Sequence, residues 1–178
     1  MGTPATAAGF SQGLKSGSPV IAGGKFLTFV LAGEEYGIEI LKVHEIIGLM
    51  PITRVPRTPD FMRGVINLRG KVIPVVDLRA KFGVPVDTAT SRTCIIVVRV
   101  RGIEMGIVVD EVSEVIDING QDIEPTPSFG SDVNTDYILG IGKSQGRVKI
   151  LLDIERALSS GELASLQTGA EASLATCG

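Results

Sequence analysis

The stretch Gly64-Val65-Ile66-Asn67-Leu68-Arg69-Gly70-Lys71-Val72-Ile73-Pro74-Val75-Val76-Asp77-Leu78 decides the fold, because it is written again in degenerate form 76 residues on, from Gly140 to Ile154. In each copy an apolar segment, Phe61 to Leu68 or Tyr137 to Ile141, leads into a Gly-containing turn. A strongly apolar segment follows, Val72 to Val76 or Val148 to Leu152, and stops at Asp77 or Asp153. Val and Ile dominate the apolar runs, and their stiff β-branched side chains suit a pleated surface better than a helix. The two aspartates read as N-caps of short helices, Leu78 to Phe82 and Ile154 to Leu158, with Gly83 and Gly161 as stops. One carboxylate on each copy, rather than two converging on one site, argues against acid-base or metal chemistry.

Upstream the repeat continues at a different spacing. Gly33, Tyr36, Gly37, Ile38, Val43 and Glu45 recur at an offset of 69, as Gly102, Met105, Gly106, Ile107, Val112 and Glu114. The second copy is therefore seven residues longer, and the excess falls within 119–135. That segment is the counterpart of the loop 49–59, which Pro51, Pro56 and Pro59 bar from helix or central strand. A fixed-order repeat of this length marks one supersecondary unit built twice. Phe26, Leu27, Phe29, Val30 and Leu31 form a strand that turns at Gly33-Glu34-Glu35. The segment Tyr36 to Ile47 also fits a helical stripe through Ile40, Val43 and Ile47; its copy, Ile107-Val108-Val109 and the alternating Val112, Glu114, Ile116, Ile118, favours strands.

The expected fold is all-β: two five-stranded β-barrels from an internal duplication, packed together, with a short helix after the last strand of each. The domain plan is a flexible leader over 1–23, a first half over 24–85, a second over 86–160 and a tail over 161–178. Exchange of strands between the barrels is left open. The leader is Gly, Ala, Ser, Thr and Pro with hardly a large apolar residue, which cannot offset the entropy of ordering.

A formal charge of −3 argues against a polyanion-binding surface. A β-barrel that binds nucleic acid would need basic grooves with stacking aromatics, and aromatics are 4% of the chain. No apolar run approaches 18 residues, and the N-terminus lacks a secretory pattern, so the chain reads as cytoplasmic. Cys94 lies in an apolar strand and reads as a small hydrophobe; Cys177 stands alone near the end. Neither makes a metal motif. His44 is the single histidine, so a catalytic triad has nothing to pivot on. Gly142-Lys143-Ser144 imitates the end of a phosphate loop, but the glycine that motif needs earlier is Tyr137. No enzyme and no cofactor are expected.

The segment Gly64 to Arg79, with Glu35-Tyr36-Gly37-Ile38-Glu39-Ile40, Val43-His44-Glu45-Ile46 and Gly106-Ile107-Val108-Val109-Asp110, closely resembles the CheW family of bacterial chemotaxis coupling proteins. The resemblance covers about residues 25 to 160. It implies two SH3-like barrels and a non-catalytic adaptor. Such a protein joins the regulatory domain of the histidine kinase CheA to the cytoplasmic tips of methyl-accepting chemoreceptors, within arrays at the membrane. It also implies that Glu45 and Arg69 stand at receptor-docking positions, with Val43, Leu68, Val108 and Val109 as candidates for an apolar groove that could take an amphipathic helix. Ile38 and Gly64 are the candidates for kinase contact. Two alternatives are a coupling module in a variant role and a nucleic-acid-binding barrel. A receiver-fused variant would need a further domain of roughly 120 residues.

Deleting residues 1–22 is expected to shift the melting temperature by less than about 5 °C in a calorimetric scan, because a segment of this composition buries little. A larger drop would show that it packs on a barrel.

Overall fold

The computed structural model describes residues 23–86, 89–127 and 136–158. The expectations for the leader up to residue 22, for the tail, for Gly161 and Cys177 and for part of the longer loop lie outside the described residues. Eleven strands form among the described residues: β1 (Gly24–Leu31), β2 (Glu34–Glu39), β3 (Val43–Gly48), β4 (Met62–Leu68), β5 (Lys71–Asp77), β6 (Cys94–Val100), β7 (Ile103–Val109), β8 (Glu111–Ile118), β9 (Ile123–Glu124), β10 (Ile138–Ser144) and β11 (Arg147–Leu152). Two one-turn helices, α1 (Leu78–Lys81) and α2 (Ile154–Ala157), follow β5 and β11. Asp77 caps α1 through Arg79 N, and Asp153 caps α2 through Glu155 N and Arg156 N. The ambiguous segment 36–47 is two strands joined by a single 3-10 turn, Ile40–Lys42; of the helical stripe, Ile40 stands in that turn and Val43 and Ile47 share one face of β3.

Four hairpins turn on the same chemistry. Ala32-Gly33, Arg69-Gly70, Arg101-Gly102 and Gln145-Gly146 all have positive φ at both positions. Two left-handed residues in a row match the twist of the flanking strands, and glycine takes the second place without steric cost.

The eleven strands make two sheets, ordered β8-β1-β2-β11-β10-β9 and β3-β6-β7-β5-β4. Both curl into barrels. In the first, Ile118 of β8 packs on Gly142 of β10, although three strands lie between them. The expected count of five strands holds for the second barrel, while the first gains β9 as a sixth. The extra strand is rudimentary in both. Glu124 of β9 pairs with Ile141, and the equivalent residues of the other barrel, Thr53 and Val65, form an isolated bridge.

Each copy of the repeat is split between the barrels. The first gives β1 and β2 to the six-stranded barrel and β3, β4 and β5 to the other; the second gives β6 and β7 to the five-stranded barrel and the rest to its neighbour. Halves 24–85 and 86–160 are thus repeats of sequence, and neither is one sheet. The donated hairpins dock by parallel pairing, Val75↔Gly106 in one barrel and Leu151↔Gly37 in the other. These are the same register in both copies. A Cβ at Gly37 would stand 2.9 Å from Leu151 Cδ2, and one at Gly106 would stand 2.8 Å from Ile95 Cγ2. The repeated glycine is therefore a packing requirement of the docked hairpin.

Strand exchange buries both faces of the central strands. Ile95, Val97 and Val108 fill the five-stranded barrel with Ile66, Ile73 and Val75. Phe26, Ile116, Ile118, Ile123 and Leu151 fill the six-stranded one. The neighbours in between, among them Leu27, Phe29, Leu31, Ile96, Val98, Val100, Ile107 and Leu152, form a third core shared by both sheets. This is why Cys94 to Val98 of β6 reads as a continuous apolar run rather than alternation. Cys94 is half-buried against that core, where burial pushes its thiol up.

The chain crosses between barrels twice, at Ile40–Lys42 and at Asp110, and each crossing is clasped by the helix of the other copy. Arg79 Nη1 donates to Asp110 Oδ1 at 2.6 Å. Lys42 Nζ donates to Glu155 Oε1 at 2.9 Å. Arg79 and Glu155 are equivalent positions in the repeat, so the two clasps carry reversed charge. They also differ in depth. The Arg79 side chain is 3% exposed and also grips Asp77, 1% exposed; Lys42 is 36% exposed. Asp110 Oδ2 accepts from Ala32 N at 2.8 Å, tying this clasp to the β1–β2 turn. Burial alone would raise the Asp77 carboxyl, but hydrogen bonds and charge from Arg79, with Arg63, hold it below its ordinary value.

Removing Arg79 leaves buried Asp77 to the partly exposed Arg63 and Asp110 without its partner, so Arg79→Met is expected to cost about 3–5 kcal/mol in urea unfolding. The exposed clasp should be worth at most about 1 kcal/mol, read as Lys42→Met. Equal losses would contradict the difference in burial. Because the folded Asp77 value is depressed, its contribution is complete at neutral pH. It fades as pH falls below about 4 and through the folded value. Acid titration of stability should show that decline in the parent protein.

Candidate functional site

Glu45 and Arg69 lie far apart in the sheet order and meet across its seam. β3 and β4 are the two ends of the five-stranded sheet. Glu45 is on β3, and Arg69 opens the β4–β5 turn with a left-handed backbone, φ 55. Asn67 Oδ1 braces that turn by accepting from Gly70 N at 2.8 Å. Arg69 Nη1 and Nη2 donate to Glu45 Oε1 and Oε2 at 2.9 and 2.7 Å, a bidentate fork that fixes both planes. Carboxylate hydrogen bonding and charge from Glu45 raise the Arg69 guanidinium still further above neutrality. The pair closes the seam of the barrel yet leaves Arg69 71% exposed and Glu45 20%.

A belt of charge continues from it. Glu104 accepts from Arg99 at 3.1 Å and pairs with Lys71 at 3.3 Å. Those contacts, Arg99 first, hold the Glu104 carboxyl below its ordinary value. Arg99 and Glu104 are cross-strand partners in the β6–β7 hairpin, so the turn at Arg101-Gly102 was the signal that would have paired them from sequence. Exposed on the same sheet are Ile46 and Val72, 46% and 55% accessible. Among the described residues the six-stranded barrel has no such fork at the equivalent turn, where the counterpart of Arg69 is the uncharged Gln145.

The four apolar candidates do not line one groove. Val43 is half-buried and packs with Val109 on the shared core, whereas Leu68 packs with Val108 on the core of the five-stranded barrel. Val108 is 1% exposed and Val109 0%, so neither presents a surface. Sequence reasoning grouped residues that alternate across a sheet buried on both sides.

Ile38 and Gly64 are also interior. Ile38 is 0% exposed. Gly64 is buried at φ 139, where a Cβ would stand 2.0 Å from Thr53 O. That approach is what lets Thr53 and Val65 exchange backbone hydrogen bonds of 2.9 and 2.8 Å. Among the described residues no group of three His, Cys, Asp or Glu side chains could hold a metal ion. None of their helices is long and apolar enough to cross a membrane.

Gly64→Ala is therefore expected to destabilise folding by about 3 kcal/mol or more in urea unfolding, through steric overlap at a left-handed position. Partner binding lost in that variant would follow from misfolding, and a variant of parental stability would refute the packing argument.

Comparison with known proteins fits this geometry. The CheW-like domain family matches residues 25–162. The chemotaxis protein CheW of Klebsiella aerogenes is 46% identical over 142 residues, 80% of this chain and 86% of that protein. CheW of Rhizobium meliloti is 35% identical over 79% of this chain and 90% of its own. The crystal structure of the scaffolding protein TtCheW from Thermoanaerobacter tengcongensis superposes with a TM-score of 0.72 at 37% identity, over 79% of this chain and 95% of that one. With the duplicated barrels, the repeat motifs and these matches in agreement over the same residues, the chain belongs to the CheW family.

Proposed function

We propose that the protein is a non-catalytic adaptor of chemotaxis signalling, coupling the cytoplasmic tips of chemoreceptors to the histidine kinase CheA in arrays at the membrane. Family membership supports the adaptor role, and the related TtCheW structure is described as that of a scaffolding protein. The observation that carries the receptor contact is the exposed Glu45–Arg69 fork. A bidentate pair held on a closed barrel presents fixed charge to a partner, and electrostatic complementarity of that kind sets orientation and association rate. Ile46 and Val72, exposed on the same barrel, supply apolar area for a helical partner. Ile38 and Gly64, being interior, influence a kinase contact only through the shape of the barrels.

The test is co-sedimentation or pull-down with a receptor cytoplasmic fragment and the kinase. Arg69→Glu should weaken receptor capture at least roughly tenfold while the melting temperature barely moves, because an exposed pair contributes little to folding. Glu45→Arg combined with Arg69→Glu rebuilds the fork in reverse. Recovery of receptor capture in that double variant means the residues act through each other, and strictly additive losses mean each contacts the receptor alone. Unchanged capture by Arg69→Glu would remove the fork from the interface.

A further inference from the structure

The loop between β3 and β4 carries a recess of about 340 Å³ lined by Arg54, Val55, Pro56, Arg57, Thr58, Pro59, Asp60 and Met62. A second hollow beside it shares Arg54, Asp60 and Met62 and adds Ile52 and Arg63. We propose that this recess binds carboxylates of an acidic peptide segment through the guanidinium groups of Arg54 and Arg57. It shares no lining residue with the Glu45–Arg69 fork and goes beyond the receptor contact assigned to that fork.

Three observations carry the assignment. First, the charge there is unspent. Arg54 and Arg57 form no ion pair among the described residues, whereas Arg63 donates to buried Asp77 at 3.1 Å and is neutralised by it. Against the two free guanidiniums stands one carboxylate, Asp60, so the recess is locally positive in a chain of formal charge −3.

Second, the loop is preorganised. Pro51, Pro56 and Pro59 stiffen it, and Thr53 and Val65 lock its start by two backbone hydrogen bonds. Thr58 Oγ1 donates to Val55 O at 2.8 Å, and Met62 N to Pro59 O at 3.0 Å. Such a frame fixes the backbone that carries Arg54 and Arg57, so that binding has only the two side chains left to order.

Third, Arg57 holds a left-handed backbone, φ 61. The other four non-glycine residues with positive φ each precede a glycine in a two-residue hairpin turn, which demands that conformation. Arg57 instead follows Pro56 in a tight turn between Val55 and Thr58, whose second central position takes a left-handed backbone. The turn fixes where the Arg57 side chain leaves the loop. The overall acidic balance favours a short acidic peptide over an extended polyanion or an anionic membrane, since the repulsion of the whole chain grows with the length of the charged ligand.

The full chain, labelled with nitrogen-15, would be titrated with capped hexaglutamate, with hexaglutamine as control, and separately with inorganic phosphate and phosphatidylglycerol vesicles. The expected result is saturable amide shifts confined to residues 52–63 with hexaglutamate alone, with affinity reduced at least roughly tenfold in the Arg54→Gln, Arg57→Gln double variant. Arg57→Gly removes the guanidinium and relieves the backbone, so its melting temperature should stay at or above the parent's while peptide affinity falls. Shifts elsewhere, shifts insensitive to the double variant, or equal response to phosphate or vesicles would overturn the proposal. So would an affinity loss in Arg57→Gly accompanied by a lower melting temperature, which would assign Arg57 to stability.

Discussion

Two short parallel ladders hold this molecule together. One joins β2 to β11 and the other β5 to β7, each over three residue pairs in the same register. Every larger feature depends on them. They dock the hairpin of one copy against the closing strands of the other, require glycine at 37 and 106, and leave the central strands covered on both faces. Because β2 and β11 lie at opposite ends of the described chain, this pairing must overcome a long loop closure before its contacts stabilise anything. The crossings at Ile40–Lys42 and Asp110 exist only because the hairpins are donated, and the clasps at Lys42 and Arg79 secure those crossings.

The strands, the turns and the two caps were legible in sequence because each rests on local chemistry. Asp77 and Asp153 cap where they were expected to, and the paired glycines at 33, 70, 102 and 146 sit in hairpin turns. The meeting of Glu45 with Arg69 was also within reach of sequence reasoning, given the family resemblance and a small barrel. What could not be read was which face each residue occupies. Alternation is the usual guide to the face of a strand, and it disappears when both faces are buried. Val108 and Val109 were therefore grouped with Val43 and Leu68, although they enter two different cores. The buried Asp77–Arg79–Asp110 cluster was equally hidden, since Arg79 and Asp110 are brought together by strand exchange alone.

The duplication has kept its architecture and dispersed its chemistry. Positions whose geometry both copies need, such as Gly37 and Gly106, are the same residue. Elsewhere the copies have parted. Arg69 faces Gln145, Arg79 faces Glu155, and Ile73, a core residue of one barrel, faces Lys149 in the other. Lys149 is 4% exposed and is accommodated there by an ion pair of 2.7 Å with Glu35. Two bodies of one shape thus present different surfaces, which lets a single small chain offer different faces to different partners.

The identical registers of the two docked hairpins also bear on ancestry. A chain containing one copy would carry both partners of this ladder, a glycine equivalent to Gly37 and Gly106 and a last strand equivalent to β5 and β11. It could close the ladder on itself or, by extending the crossing, pair with a second molecule about a two-fold axis, each lending a hairpin to the other. Fusion of two such genes would then convert a swapped homodimer into one polypeptide, freeing each former subunit from the demand that both surfaces remain alike.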